Sequence, residues 1–506
     1  MRSPDVQRSA QRRGHRRVLP WLCLAAIVIM WSVTYLGPPA SARAQDTHDG
    51  IAGRVLDEQG IPVTEALVAL YLDQDAQPVD ETETQPDGTF LVFLPDDEPV
   101  AELHLDVERP HFQTETVELG GDELDQLLSD GTVVLDDIVL GRHFGVSFWV
   151  TTITFVLMLA ITATERLHKT LAALLAVAIL FSISLVGGAF NESFFIFDFE
   201  HALELVDFDV IFLLMGMMIV IGVIEETGIF QWLAYQAYRL SRGRVWLLSI
   251  ILMSITAVTS ALLDNVTTML LMAPITLQIA LAVGLNPLAL LLPEVLASNV
   301  GGLATLVGEP TNILVGSYAG FSFNDFLINL TPGVMLSMLG LFAYVQLRYR
   351  QQYAKHGAGL SPALLERLRQ NAQIEDTDML KKAGIVFGIL MLLFIFGEAI
   401  HLPPAVAAII GAVAMLIWVH PHVEEMMGVV DWTTLMFFIA LFIVIGAIQE
   451  IGLISLITSA IGALVADNLT AAMLAVVWLA AMLSGVVDNI PFTAAMLPVV
   501  NHLTGV

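Results

Sequence analysis

Two carboxylates set inside apolar sequence constrain this chain more than any other feature. Asp264 lies between residues 245–263 and 266–283, two runs without a charged side chain. Asp488 stands in a similar setting, in Val487-Asp488-Asn489-Ile490-Pro491. Each run around Asp264 approaches the roughly 20 apolar residues that cross a bilayer. A carboxylate at that depth costs several kcal/mol, so it is expected to bind something and to have a partner.

With 56% hydrophobic residues over 506 positions, the chain reads as a multi-span α-helical membrane protein. The net charge of −28 comes mostly from residues 45–140, where Arg54 and Arg109 are the only basic side chains. That balance argues against nucleic acid and other polyanions as partners. The single cysteine, Cys23, leaves no disulfide, zinc or thiol chemistry. No cofactor is expected, and the chain reads as a non-enzyme.

Residues 1–44 carry Arg12, Arg13, Arg16 and Arg17 ahead of an apolar stretch at 18–36 and small residues at Ala40, Ala42 and Ala44. This is either a signal peptide cleaved after Ala44 or a retained anchor. Both place residue 45 outside the cytoplasm. Residues 45–142 change to short alternating segments at 51–56, 66–72, 89–94, 102–107 and 133–140, separated by turn sequences such as Gln85-Pro86-Asp87-Gly88. The expectation is a small all-β sandwich, extracytoplasmic. Its run from Ile51 through Gly53, Asp57, Gly60 and Pro62, then Pro86-Asp87-Gly88-Thr89-Phe90, resembles the carboxypeptidase regulatory-like (transthyretin-like) domain. That resemblance implies a spacer or interaction module, or alternatively ligand sensing, with a partner that the sequence does not name.

Lys and Arg set the orientation of the rest. Arg166 and Lys169 mark the cytoplasm, and residues 191–209, with six acids and no base, mark the outside. Residues 230–244 read as a cytoplasmic interfacial helix bearing Arg239, Arg242 and Arg244. Residues 143–347 are expected to form one repeat, 348–382 a basic cytoplasmic linker, and 383–506 a second repeat, without Lys or Arg after residue 382. The flanking charges do not decide whether 245–283 makes two crossings or a re-entrant hairpin whose tip is Asp264-Asn265. A further crossing at 288–317 is interrupted between 298 and 312, where Gly301, Gly302, Gly308 and Pro310 should unwind the helix.

The second half repeats the first at an offset of 224: Asp207 with Asp431, Glu226 with Glu450, Gly228 with Gly452, Asp264 with Asp488, Asn265 with Asn489, and Pro274 with Pro498. The three arginines at 239–244 have no counterpart in the second copy, which points to inverted topology. Inverted repeats with broken helices bind substrate near the midplane. This favours the hairpin, with Asp264-Asn265 approaching from the cytoplasm and Asp488-Asn489 from outside. The offset puts the counterparts of Ser298-Asn299 at 522 and 523, beyond Val506, so the second repeat is expected to be incomplete and the chain a fragment.

Leu262-Leu263-Asp264-Asn265-Val266-Thr267-Thr268-Met269, taken with Ala297-Ser298-Asn299-Val300-Gly301-Gly302 and the following Thr305, Gly308, Pro310 and Asn312, resembles the ion transporter superfamily. The likeness is to its branch of arsenite permeases, NhaD-type sodium/proton antiporters and P proteins. More distantly it is similar to citrate and dicarboxylate sodium symporters, whose tips read Ser-Asn-Thr. The resemblance implies two inverted repeats, each with a re-entrant hairpin and a broken helix, in a multi-pass protein of the plasma (inner) membrane. It implies ion binding by Asp264, Asn265, Thr267, Ser298, Asn299, Gly301, Thr305, Asn312, Asp488 and Asn489. Sodium would be held by Asp264, Asn265 and Asn299, and Glu309 is a candidate coupling acid. The expected function is secondary transport of a small inorganic ion by alternating access, most simply sodium/proton antiport. Arsenite or dicarboxylate transport is the alternative within the family, and a membrane-anchored sensor the alternative outside it. An intramembrane aspartyl protease lacks its Gly-x-Gly-Asp context here. The lipid bilayer is the surrounding partner, and a homodimer is a further candidate.

Overall fold

The computed structural model describes residues 50–72, 77–94, 103–120, 132–355, 374, 376–465, 469–485 and 487–504. The expected signal or anchor at 1–44 and much of the 348–382 linker lie outside the described residues. Eight strands are followed by a helical body with eight helices long and apolar enough to cross a membrane.

The strands are β1 (Gly50–Asp57), β2 (Leu67–Leu72), β3 (Asp80–Glu83), β4 (Thr89–Phe93), β5 (Leu103–Glu108), β6 (Glu115–Leu119), β7 (Thr132–Val134) and β8 (Ile138–Leu140). One sheet runs β4-β1-β7 with β8 also on β1; the other runs β3-β2-β5-β6. Strict alternation buries Leu103, Leu105 and Val107 of β5 against Val68, Leu70 and Leu72 of β2 in a single core. The structure corrects the strand list in two ways. Residues 133–140 are two short strands, both parallel to β1, and β3 and β6 are additional. These two lie at the edges and carry almost no buried apolar residue, so period-two hydrophobicity could not reveal them.

The helices are α1 (Val146–Ala163), α2 (Lys169–Phe181), α3 (Phe199–Glu204), α4 (Phe208–Glu226), α5 (Ile229–Ser241), α6 (Val245–Leu262), α7 (Asn265–Val283), α8 (Leu288–Gly302), α9 (Pro310–Ala319), α10 (Phe323–Lys355), α11 (Thr377–Phe396), α12 (Pro404–Trp418), α13 (Val423–Val429), α14 (Trp432–Glu450), α15 (Leu453–Val465), α16 (Leu469–Leu483) and α17 (Asn489–Thr504). The repeat is visible in their ends. Asp207 caps α4 by accepting from Val210 N at 3.2 Å, and Asp431 caps α14 by accepting from Thr434 N at 3.1 Å. Past the far ends, Gly228 (φ 75°) and Gly452 (φ 82°) take the left-handed turn that few other residues tolerate.

Packing establishes how the halves relate. A side chain on Gly222 would overlap Val429, and one on Gly446 would overlap Leu205. Adding 224 to 222 gives 446 and to 205 gives 429, so the two contacts are one contact seen twice. The end of α4 meets the approach to α14, and the end of α14 meets the approach to α4, so the two helices run antiparallel. The exchange continues outward, with α4 on α12 and α14 on α2. This is the reciprocal arrangement of an inverted repeat.

Two apolar cores divide the helical body. One joins α1, α2, α4, α9 and α11 to α15, with parts of α17; the other joins α5, α6, α7, α8 and the middle of α10. The chain passes between them at the break separating α8 from α9, since Ala297 belongs to the second core and Leu306, Val307 and Ile313 to the first.

The β-domain docks on the turn after α14. Arg142 Nη1 donates to the Glu450 carbonyl at 2.9 Å, and Gln59 Nε2 to the Ser455 carbonyl at 2.8 Å. Glu450 also lies 3.5 Å from Arg109 Nη2 and 3.2 Å from His201 Nε2 on α3, while His111 Nε2 is 3.0 Å from the Ile196 carbonyl. The Glu450 hydrogen bond holds His201 above its ordinary value, and burial pushes His111 below its own. The two imidazoles therefore oppose each other. The His201 contribution is complete below about pH 6.5 and is lost as pH rises through its raised value; that of neutral His111 is present above about pH 6.5 and lost as pH falls. Docking should be tightest near the middle of this range. Hydrogen–deuterium exchange of residues 103–113 and 196–206 against pH checks this: His201→Gln should remove the alkaline loosening and His111→Gln the acid loosening, and unchanged profiles would refute the assignment.

Candidate functional site

The functional residues of the first repeat come from two places where helices stop. The chain leaves α6 at Leu263, which is extended (φ −121°, ψ 166°), and Asp264 begins α7 by accepting from Thr267 N at 2.8 Å. Asp264 is thus a helix cap and, being half-buried, keeps a second carboxylate oxygen for another task. The second stop is the loop at 303–309 between α8 and α9, closed where Gly302 and Gly308 approach backbone to backbone.

These two breaks face each other. Asn265 Nδ2 donates to Asn299 Oδ1 at 3.2 Å. Ser298 Oγ lies 3.1 Å from both the Asn265 carbonyl and Ser260 Oγ, and Ser260 Oγ donates to the Ser298 carbonyl at 2.8 Å. Thr305 Oγ1 donates to the Ala261 carbonyl. Asn312 Nδ2 donates to the Thr305 carbonyl at 2.8 Å and reaches the Gly302 carbonyl at 3.3 Å. Ser298, Thr305 and Asn312 are buried, whereas Asn299 is exposed beside Asn265 at the edge of an open, mostly apolar pocket of about 710 Å³. The structure therefore brings together Asp264, Asn265, Thr267, Ser298, Asn299, Thr305 and Asn312. Gly301 acts through its lack of a side chain, because a Cβ there would overlap the Ala257 backbone.

The second tip has different company. Asp488 Oδ1 accepts from Ile490 N at 3.1 Å, and its other oxygen lies 3.3 Å from Lys169 Nζ at the start of α2. Asn489 Oδ1 accepts from Ser484 Oγ at 2.9 Å, and the Asn489 side chain also bonds Glu309 at the start of α9. Lys169, Ser484, Asp488 and Asn489 line a polar pocket of about 600 Å³ together with Glu165 and His168. The twin tips are not held to each other: among the described residues, no hydrogen bond or ion pair joins Asp264 or Asn265 to Asp488 or Asn489. Lys169, read from the sequence as a topology marker, is half-buried at the start of α2 and pairs with Asp488.

Sequence reasoning also passed over Glu294. It is 1% exposed on α8, and its Oε1 accepts from Thr276 Oγ1 of α7 at 2.9 Å. The signal was available, as the one charge in the otherwise apolar residues 288–303, yet it lies beside glycine-rich sequence that drew the reading to Ser298-Asn299.

Comparison with known proteins agrees with this helical body. A family model described as "Citrate transporter" matches residues 156–505. An "Uncharacterized transporter" of Mycobacterium tuberculosis is 35% identical over 352 residues, which is 70% of this chain and 80% of the relative. The "46 kDa membrane protein" of Mycobacterium leprae is 34% identical over 349 residues, 69% of this chain and 79% of the relative. The human "P protein" is 32% identical over 416 residues, covering 67% of this chain and 49% of that protein.

The close approach at Gly301 yields a stability test. Gly301→Ala forces overlap with backbone, and overpacking of this kind costs about 1–3 kcal/mol. Gly333→Ala on α10 meets nothing within 4 Å and should stabilise by roughly 0.5–1 kcal/mol instead. Thermal unfolding of the purified full chain should therefore shift in opposite directions for the two substitutions.

Proposed function

The chain belongs to the citrate transporter family of the ion transporter superfamily, and from that premise we propose that it is a secondary transporter that moves sodium in exchange for protons by alternating access. It is a multi-span membrane protein. One observation carries the cation reading: the free oxygen of Asp264, the Asn265–Asn299 amide pair and the carbonyls of two helix breaks converge at one joint. Oxygen donors of that kind suit a hard cation, and helix breaks at membrane depth are where transporters place such sites. The joint also lies at the seam between the two apolar cores, where relative movement would open or close it. In this reading the protein resides in the inner membrane with its β-domain outside, and Glu309, between α9 and the tip at Asn489, is a coupling acid.

A second reading rests on Lys169. A lysine beside His168 in a polar pocket is the chemistry that receives a carboxylate anion, in keeping with the name of the family model. The Asp488 partner already neutralises that charge, which is why the cation reading is preferred.

Flux in liposomes containing the full chain separates the two. Under the first reading, radioactive sodium enters against an outward proton gradient, and Asp264→Asn or Asn299→Ala lowers the rate by roughly 10–100-fold, the scale seen when groups supporting a metal ligand are lost. Labelled citrate uptake abolished by Lys169→Met, with sodium flux absent, would establish the second reading instead.

A further inference from the structure

Glu294 stands apart from the joint. Thr276, its partner, is 12 residues along α7 from Asp264, roughly 18 Å at the helical rise. Its Oε2 is buried and has no hydrogen-bond partner. Among the described residues no lysine, arginine or histidine forms an ion pair with it. The helices packed on α8 explain why. Residues 245–262 of α6 and 265–283 of α7 contain no ionisable side chain. On α10, Asp325, Tyr344, Arg348, Arg350 and Lys355 are exposed, Tyr349 is half-buried and stacks on Tyr353, and Tyr353 donates its hydroxyl to the Ala289 carbonyl at 2.7 Å.

An ionised carboxylate in that position would have one hydroxyl for compensation, far less than a buried charge requires. A metal cation is served no better, since a hard cation takes several oxygen ligands and only Thr276 is at hand. A proton needs one lone pair. Thr268, one turn from Asp264, is fully buried on the same face of α7 as Thr276, and its hydroxyl also lacks a partner. A second buried polar atom without a partner thus lies between the joint and Glu294 along α7.

We propose that Glu294 is a proton-binding site, loaded when the α6–α7–α8 unit is closed as in this structure and emptied when that unit opens to water. Resting on the sodium/proton reading above, it supplies the proton that is exchanged for the ion at Asp264. Loading removes the charge at Glu294 while the unit is closed; release gives the proton to bulk water on the opened side.

Two measurements on the full chain test this. In lipid nanodiscs at neutral pH, infrared spectra should contain the carbonyl stretch of a neutral, dehydrated carboxylic acid, absent in Glu294→Gln and retained in Asp264→Asn. Persistence of that band in Glu294→Gln overturns the proposal. Should the glutamine variant fail to assemble, a displaced band in Glu294→Asp supports the assignment, and an unmoved one refutes it. In liposomes, sodium uptake driven by a proton gradient should fall on the order of tenfold in Glu294→Gln, while sodium exchange without a gradient stays within about twofold. Undiminished gradient-driven uptake would also defeat the proposal. The infrared band does not depend on transport, so a wild-type chain that shows the band yet moves no sodium refutes the sodium reading and leaves the proton site standing.

Discussion

Everything in the first repeat depends on how two interrupted helices satisfy their backbones without water. A helix that stops leaves carbonyl and amide groups unpaired, and in hydrocarbon each costs several kcal/mol. Here each break completes the other. Thr305 from the second break caps the Ala261 carbonyl near the end of α6, and Ser298 reaches the Asn265 carbonyl across the joint. Asn312 closes the carbonyls of Gly302 and Thr305 within the second break, while Asp264 takes an amide of the first. Small hydroxyl and amide side chains are suited to this task because they carry donors at short reach. The residues expected to bind ions are therefore also the residues that make the break permissible, and a substitution at Ser298 or Asn312 strikes structure and site together.

The two-fold relation between α4 and α14 is closely kept in packing and abandoned in electrostatics. The contact of Gly222 with Val429 returns as that of Gly446 with Leu205. At the helix ends, however, His201 faces Glu450, whereas the equivalent positions hold Glu425 and Glu226, because 201 plus 224 is 425 and 226 plus 224 is 450. One end is an attraction, further tied to Arg109 and Arg142 of the β-domain; the other sets two acids near each other. Packing symmetry follows from two similar sequences folding alike. The charges differ because the two ends meet different surroundings, and only one of them meets a β-domain.

Much of this was legible from charge and periodicity, and the misses have physical causes. Asp264 and Asp488 were visible because charge in apolar sequence is rare, and the second break because glycine and proline disfavour helix, although it is shorter than the expected 298–312: Gly301 and Gly302 stay within α8, Pro310 begins α9, and only 303–309 is unwound. Lys169 was misjudged because loop counting treats a lysine at a helix start as a marker of sidedness, and nothing local reveals that a residue 319 positions away will pair with it. Glu294 has the same cause in reverse: its partner Thr276 is 18 positions earlier on another helix, and a single threonine gives no sequence signal. The edge strands β3 and β6 bury only Leu119 between them, so their pairing is fixed by backbone hydrogen bonds that composition does not record.

The division into two cores bears on how such a molecule could move. A single continuous core resists relative displacement, since close packing transmits strain throughout. Two cores joined by an unwound segment can shift while the packing inside each stays intact, provided that the segment keeps its hydrogen bonds. The loop at 303–309 is such a segment, and Thr305 within it holds the Ala261 carbonyl of α6, while Ser298 of α8 holds the Asn265 carbonyl at the start of α7. Asn312 remains with α9 and reaches back to Gly302 on α8. Movement of the α6–α7–α8 unit would thus be carried by the bonds that bridge the break, while the turn after α14 is clamped from outside by Arg142 and Gln59. The first repeat, which contains this joint, also holds Asp264 and the buried acid at Glu294.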